Sequence, residues 1–200
     1  WAHKNEIIIA ADEGCYIDIY FEDRPLSILE VAREGIVAFY SLSKRNNMTG
    51  YRVGFVCGDQ AVLDIFKQLK TNVDSGTPSI MQEAAMAALR DDQHVEMMRE
   101  MYRRKRDILL DALKGVPGME VREPASTFYV WQKVPAGMTD VEFAQRLLEP
   151  DMAMVVTPGS LISDVCEGGV NPGFGYVRFA LMPTMEEMEE AARRFGNLIF

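Results

Sequence analysis

Ser41-Leu42-Ser43-Lys44-Arg45-Asn46-Asn47-Met48-Thr49-Gly50-Tyr51-Arg52-Val53-Gly54-Phe55 is the stretch on which the reading of this chain turns. Lys44 stands behind two hydroxyls, Ser41 and Ser43, and is followed by Gly50 and Arg52. An amine, hydroxyl donors and a guanidinium are the groups needed by a lysine that forms an imine with a phosphorylated aldehyde. Met48-Thr49-Gly50 supplies a turn through which backbone can pass close to a ligand. A P-loop is excluded, because no GxxxxG frame precedes the lysine.

Outward from this stretch, short apolar runs alternate with helical patterns. Glu6-Ile7-Ile8-Ile9-Ala10-Ala11 reads as a buried parallel strand, with Asp12 at its end, where open α/β sheets place ligands. Ile36-Val37-Ala38-Phe39-Tyr40 and Val53-Gly54-Phe55-Val56-Cys57 are two further runs of the same kind. Val62, Ile65, Phe66 and Leu69 have helical spacing, and an alanine-rich helix follows from about Ser79 to Leu89. A longer helix is expected from about His94 to Lys114, with Arg103-Arg104-Lys105-Arg106 as a solvated basic face.

Beyond Gly115-Val116-Pro117-Gly118 the texture changes to short strands and helices. Thr127–Trp131, Val155-Val156 and Tyr176–Leu181 read as strands. Thr139-Asp140-Val141-Glu142 and Thr184-Met185-Glu186-Glu187 have the spacing of capping boxes. The last helix carries an apolar stripe of Met185, Met188, Ala192, Phe195 and Ile199. A domain boundary is expected in the long helix, giving segments 1–95 and 96–200.

Composition bounds the function. The chain has 200 residues, 48% hydrophobic and 26% charged, which suits an ordinary globular protein with one or two cores. A net charge of −9 argues against a nucleic-acid surface and for a small-molecule protein. No apolar run approaches the ~18 residues of a membrane span. Cys15, Cys57 and Cys166 are widely spaced, and neither they nor His3 and His94 form a metal-ligand pattern. A reduced, cytoplasmic setting and no metal are the expectation. The chain starts at Trp1 and runs almost at once into an apolar strand. We therefore expect the natural polypeptide to begin earlier, with this chain as the C-terminal part of a longer enzyme.

These segments together resemble the class I/II (fold-type I) pyridoxal-phosphate aminotransferases, from the strand before Asp12 to the final helix. The resemblance implies an α/β fold: the second half of the large cofactor-binding domain, with a mostly parallel sheet, followed by the small α/β C-terminal domain. It implies that Lys44 forms the Schiff base with pyridoxal 5'-phosphate and that Asp12 keeps the pyridine nitrogen protonated. Ser41, Ser43 and Arg52 are then the phosphate contacts. Tyr16 corresponds to the tyrosine of the family's Asp-x-x-Tyr pattern, which bonds the cofactor's phenolic oxygen. Here Asp12-Glu13-Gly14-Cys15-Tyr16 is one residue longer, and a bulge at Gly14 is expected to absorb the difference.

Asn171-Pro172-Gly173-Phe174-Gly175-Tyr176-Val177-Arg178 resembles the family's C-terminal segment, so Arg178 is the expected ligand of the substrate α-carboxylate. Phe39–Arg45, Gly76–Ser79 and Gly169–Gly173 further resemble the bacterial enzymes that act on N-succinyl-diaminopimelate or LL-diaminopimelate in lysine biosynthesis. Aspartate aminotransferase is the alternative. A non-catalytic aminotransferase-like effector module or structural fragment is the alternative of another class. The family implies amino-acid and 2-oxo-acid substrates and a homodimer, without nucleic acid or membrane partners.

Overall fold

Glu6 takes a left-handed conformation (φ 54°) as it closes a 3-10 turn over His3–Asn5. That departure from extended backbone delays the first strand. β1 spans Ile9–Asp12, not residues 6–11, and Ile7 and Ile8 stay exposed. The computed structural model describes residues 1–198, so Ile199 of the expected final stripe lies outside the described residues. The chain divides into two compact units, Trp1–Glu100 and Met101–Phe200.

In the first unit, β2 (Ile36–Ser41) runs parallel to β1, with Ile9 opposite Ile36 and Asp12 opposite Phe39. β3 (Gly54–Gly58) pairs with the other edge of β2 but antiparallel, with Ser41 opposite Gly54. The expectation of a third parallel strand is therefore corrected. The link from β2 to β3 holds only α1 (Leu42–Arg45) and a 3-10 turn over Thr49–Tyr51, and it returns the chain from the edge where β2 ended. A run of apolar residues reads the same in either direction, so periodicity alone does not distinguish them.

α2 (Gln60–Val73) begins where the Asp59 carboxylate accepts from the backbone N–H groups of Ala61 and Val62. α3 (Ser79–Leu89) and α4 (Asp92–Lys114) follow. The core of this unit gathers Ile17, Ile19, Phe21, Ile36, Val37, Ala38 and Leu42. The basic run in α4 is not a uniformly solvated face. Arg104 is exposed, but Lys105 is buried, with its ammonium 5.6 Å from the Tyr102 ring centroid. Burial pushes its pKa down, and the Glu187 charge partly opposes that.

The second unit is built on an antiparallel sheet in the order β4-β6-β5, formed by β4 (Tyr129–Lys133), β5 (Thr157–Pro158) and β6 (Tyr176–Ala180). Thr127 has φ 68°, which keeps the expected strand from starting there. Val155-Val156 lies outside the ladder. Pairing with β6 begins at Thr157, opposite Arg178, and Val155 is 85% exposed. Both capping boxes form. Thr139 opens α5 (Asp140–Leu148) and Thr184 opens α6 (Met185–Phe195), each exchanging bonds with the glutamate three residues on. The inner faces fill the core: Phe143 and Leu147 of α5, Met188 and Phe195 of α6, Val177 and Phe179 of β6. Among the described residues no helix is long and apolar enough to cross a membrane.

Candidate functional site

The parallel pairing of β1 and β2 brings both C-terminal ends to one edge of the sheet, and the antiparallel return of β3 begins at that edge. Topology alone therefore places Asp12, Ser41, Ser43, Lys44 and Arg52 on a common rim. This is the rim where open α/β sheets bind ligands. Asp12 ends β1, and one of its carboxylate oxygens accepts from the Gly14 N–H at 3.1 Å. Gly14 lies in the turn after the strand, so the extra residue is taken up there and not as a bulge in the ladder. The turn sits close to β2. A Cβ at Gly14 would lie 3.2 Å from both the Cβ and the N of Ser41.

Ser41 is the extended N-cap of α1, but its side chain makes no capping bond. Its hydroxyl is therefore not committed to the helix it precedes. Ser43 is buried, and its hydroxyl oxygen accepts from an Arg52 guanidinium nitrogen at 3.5 Å. Arg52 also donates to the Thr49 carbonyl at 2.9 Å, and the Thr49 hydroxyl donates to the Ser43 carbonyl. Arg52 has φ 53° and Asn47 has φ 54°, left-handed conformations that cost an L-residue roughly 1 kcal/mol or more each. Such cost concentrated in one short loop marks a segment whose shape is held for a purpose.

Lys44 sits in α1. The Cys15 thiol registers both Lys44 and Asp12: burial pushes its pKa up, Asp12 adds to that, and Lys44 opposes it. Arg45, which sequence reasoning passed over, fastens this helix. Its guanidinium donates to the Ala88 carbonyl and to Asp92 at 2.6 Å, and it lies 3.6 Å from Asp18. The buried Asn46 donates to the same Ala88 carbonyl. The short helix that carries Lys44 is thus tied to the end of α3 and the start of α4. The signal in sequence was a second cation beside Lys44, which reads as surface charge.

Tyr16 follows the Gly14 turn and is partly buried. Burial raises its pKa first, and the Glu13 charge, the hydrogen bond to Glu13 and the Asp12 charge raise it further, so the phenol stays protonated at neutral pH and donates to Glu13.

Arg178 belongs to the second unit, at the centre of β6 between Trp131 of β4 and Thr157 of β5. Its neighbours Val177 and Phe179 point into the core, which leaves Arg178 on the other face with Tyr129 and Trp131. The guanidinium carbon is 4.5 Å from the Tyr129 ring centroid, and Trp131 stacks on Tyr176 at 5.6 Å. The Arg178 Nε is buried and has no hydrogen-bond acceptor among the described residues. A buried donor left without a partner points to a ligand that supplies one.

The loop beside Arg178 is pinned by Asp140, a second residue the sequence did not flag. Fully buried, its carboxylate accepts from the Ser160 N–H at 2.8 Å, the Ser160 hydroxyl at 2.5 Å and the Gly175 N–H at 3.2 Å. Burial pushes this carboxyl up, but the donors together outweigh it and hold the pKa below its ordinary value. Asn171 closes the loop from within. Its side chain donates to the Ser160 and Ser163 carbonyls and accepts from the Gly173 N–H. Gly159 and Gly173 meet backbone to backbone: a Cβ on Gly159 would fall 2.3 Å from the Gly173 carbonyl oxygen.

The chain as a whole is similar to known proteins. The family model described as aminotransferase class I and II matches residues 1–195. The chain belongs to this aminotransferase family. The aminotransferase chain is 41% identical to an LL-diaminopimelate aminotransferase of Nitratidesulfovibrio vulgaris, over 98% of its own length and 49% of that protein. It is 38% identical to one from Aquifex aeolicus, over 99% of its length and 50% of that protein. Among solved structures, an aminotransferase of Neisseria meningitidis matches with a TM-score of 0.88 and 37% identity, over 98% of this chain and 50% of that one. A probable N-succinyldiaminopimelate aminotransferase of Thermus thermophilus matches with a TM-score of 0.82 and 30% identity, over 98% of this chain and 51% of that one. This aminotransferase chain therefore spans about half the length of the relatives it matches.

Proposed function

We propose that this chain supplies the lysine-bearing and carboxylate-binding portions of a pyridoxal-phosphate-dependent aminotransferase acting on a diaminopimelate. The carrying observation is the shared rim of Asp12, Ser41, Ser43, Lys44 and Arg52, which resembles the family's cofactor site residue by residue. The residues fit the cofactor chemically. Ser41 and Ser43 offer hydroxyls and Arg52 a guanidinium for the phosphate, and Lys44 offers an amine for the aldehyde. Asp12 offers an acceptor for the protonated ring nitrogen. The Tyr16 phenol donates to Glu13 and would exchange that bond for one to the cofactor's phenolic oxygen. When bound, pyridoxal phosphate supplies an aldehyde carbon and a ring that accepts electron density.

The chain's own residues do the rest. The Lys44 amine would be the base that takes the proton from the substrate Cα and holds it as an ammonium until it is given back to carbon. Asp12 would accept from the ring nitrogen and keep its proton there. Arg178, with a planar fork and an unused Nε, pairs with the substrate α-carboxylate and fixes the direction of the Cα–H bond. The diaminopimelate substrate, LL or N-succinylated, is inferred from the names of the relatives. The homodimeric state is inferred from the family resemblance, and the cytoplasmic location from three widely spaced cysteines without a pairing pattern.

Treating the intact protein with pyridoxal phosphate and borohydride, then mapping peptides, should label Lys44. Lys44→Ala should remove the label and lower transamination by at least roughly 10³-fold. Labelling at another lysine would sink the assignment. Turnover with 2-oxoglutarate should be highest for a diaminopimelate in a panel that includes aspartate and glutamate. Preference for aspartate would replace the substrate class and leave the reaction standing.

A further inference from the structure

Directly after Asp12 stands Glu13, an acid with 0% exposure that no step above employs. Its backbone N–H donates to the Phe39 carbonyl at 3.0 Å, continuing the β1–β2 pairing by one bond. One carboxylate oxygen accepts from the Ile28 N–H at 2.7 Å, and the other from the Tyr40 hydroxyl at 2.7 Å. Ser27 Oγ lies 3.2 Å from the same Tyr40 hydroxyl. The Tyr40 ring is itself fixed, stacked on Phe55 with centroids 4.8 Å apart and planes 14° from parallel. Among the described residues no basic side chain pairs with Glu13 within 4.0 Å.

A buried carboxylate held by neutral donors is expensive, and a well-packed apolar residue would serve stability as well or better. The covalent neighbours of the bond show what it gains. Glu13 follows Asp12, and Tyr40 precedes Ser41 at the end of β2, four residues before Lys44. The Glu13–Tyr40 bond therefore ties the turn carrying the ring-nitrogen acid to the strand end carrying the reactive amine.

We propose that Glu13, acting through the Tyr40 hydroxyl, is a positioning residue that sets the Asp12 carboxylate against the Lys44 amine. The inference rests on the cofactor reading of Lys44 and deepens it. Burial raises the Glu13 carboxyl, but its donors from Ile28, Tyr40, Ser27 and Tyr16 together bring it below its ordinary value, so the Tyr40 bond is a charge-assisted hydrogen bond at neutral pH. A geometric role predicts a loss of amine reactivity out of proportion to any loss of stability, because displacement by about 1 Å can cost roughly 10²-fold in rate.

The experiment compares Glu13→Gln, Tyr40→Phe and the double variant in the intact protein. The readout is the rate of borohydride-trapped pyridoxal-phosphate labelling at Lys44, with exposed Lys67 and Lys70 as internal standards. Each single variant should slow Lys44 labelling by at least about 10-fold while the standards are unchanged, and the double variant should be no slower than the worse single one. Ile19→Val, a buried truncation in the same unit, controls for stability and should label at the parental rate. Parental labelling in both single variants overturns the positioning role, as does equal slowing by Ile19→Val. Absence of Lys44 labelling in the parent protein overturns the cofactor reading itself, so the two failures are distinct.

Discussion

α2 in the first unit and α5 in the second have the same design on paper and different surroundings in space. Each starts at a side-chain N-cap and carries an apolar stripe at helical spacing. α5 seats Phe143 and Leu147 in the core with no exposure, whereas α2 leaves Ile65 69% and Leu69 62% exposed. An amphipathic pattern thus states what a helix is made to cover, and the surrounding residues decide whether it is covered. The second unit is organised by an apolar centre with one buried acid, Asp140, pinning a loop. The first owes more of its order to polar ties: Glu13 to Tyr40, and Arg45 to Ala88 and Asp92.

The sharpest way to break this contrast is Phe143→Ala, which should cost about 3–5 kcal/mol in denaturant unfolding, because a large cavity opens in a filled core. A loss below 1 kcal/mol would show that the second unit is not organised around α5. Arg178→Met should follow, raising KM for the amino-acid substrate by about 10- to 100-fold with a smaller change in kcat, the scale of a charge-assisted hydrogen bond. A change in kcat alone would place Arg178 away from the carboxylate.

Asp140→Asn tests the pinned loop through pH. The carboxyl titrates lower when folded than when unfolded, so its contribution is complete above the ordinary value of 3.8 and fades as pH falls through the folded value. The variant should be less stable than the parent by about 1–2 kcal/mol at neutral pH, and the gap should narrow below that value. A gap independent of pH would remove ionisation from the account. The smallest effect belongs to α2: Ile65→Ser should stay within about 0.5 kcal/mol in this chain. A loss like that of Phe143→Ala would erase the contrast.

How much of this was readable beforehand follows the same division. Local chemistry was plain: Thr139 with Glu142, Thr184 with Glu187, and the helix spans from Ser79 to Lys114 lie where spacing put them, within a residue or two. The α/β fold followed from motif resemblance and matches aminotransferase structures over about half their length. What escaped were properties that depend on partners distant in sequence. The direction of β3 depends on which edge the chain returns from, and the burial of Lys105 on what packs over one side of α4. Glu13 and Asp140 look like ordinary surface acids, because nothing in a single sequence records that Tyr40 and Ile28, or Ser160 and Gly175, will close around them. Residues that form a motif can be read from the chain alone, whereas a buried acid such as Glu13 or Asp140 shows itself only once its donors are in place.

The contact between Gly159 and Gly173 has a practical corollary for anyone who would re-engineer the Arg178 loop. Neither residue has the positive φ that usually explains a glycine; what is missing at both is room. Gly169, by contrast, has φ 79° and open space around it. A saturation library should therefore come back empty at 159 and 173 whatever is tried, yet recover asparagine at 169, whose short side chain tolerates that backbone. The two kinds of glycine look alike in a sequence and set opposite rules for redesign.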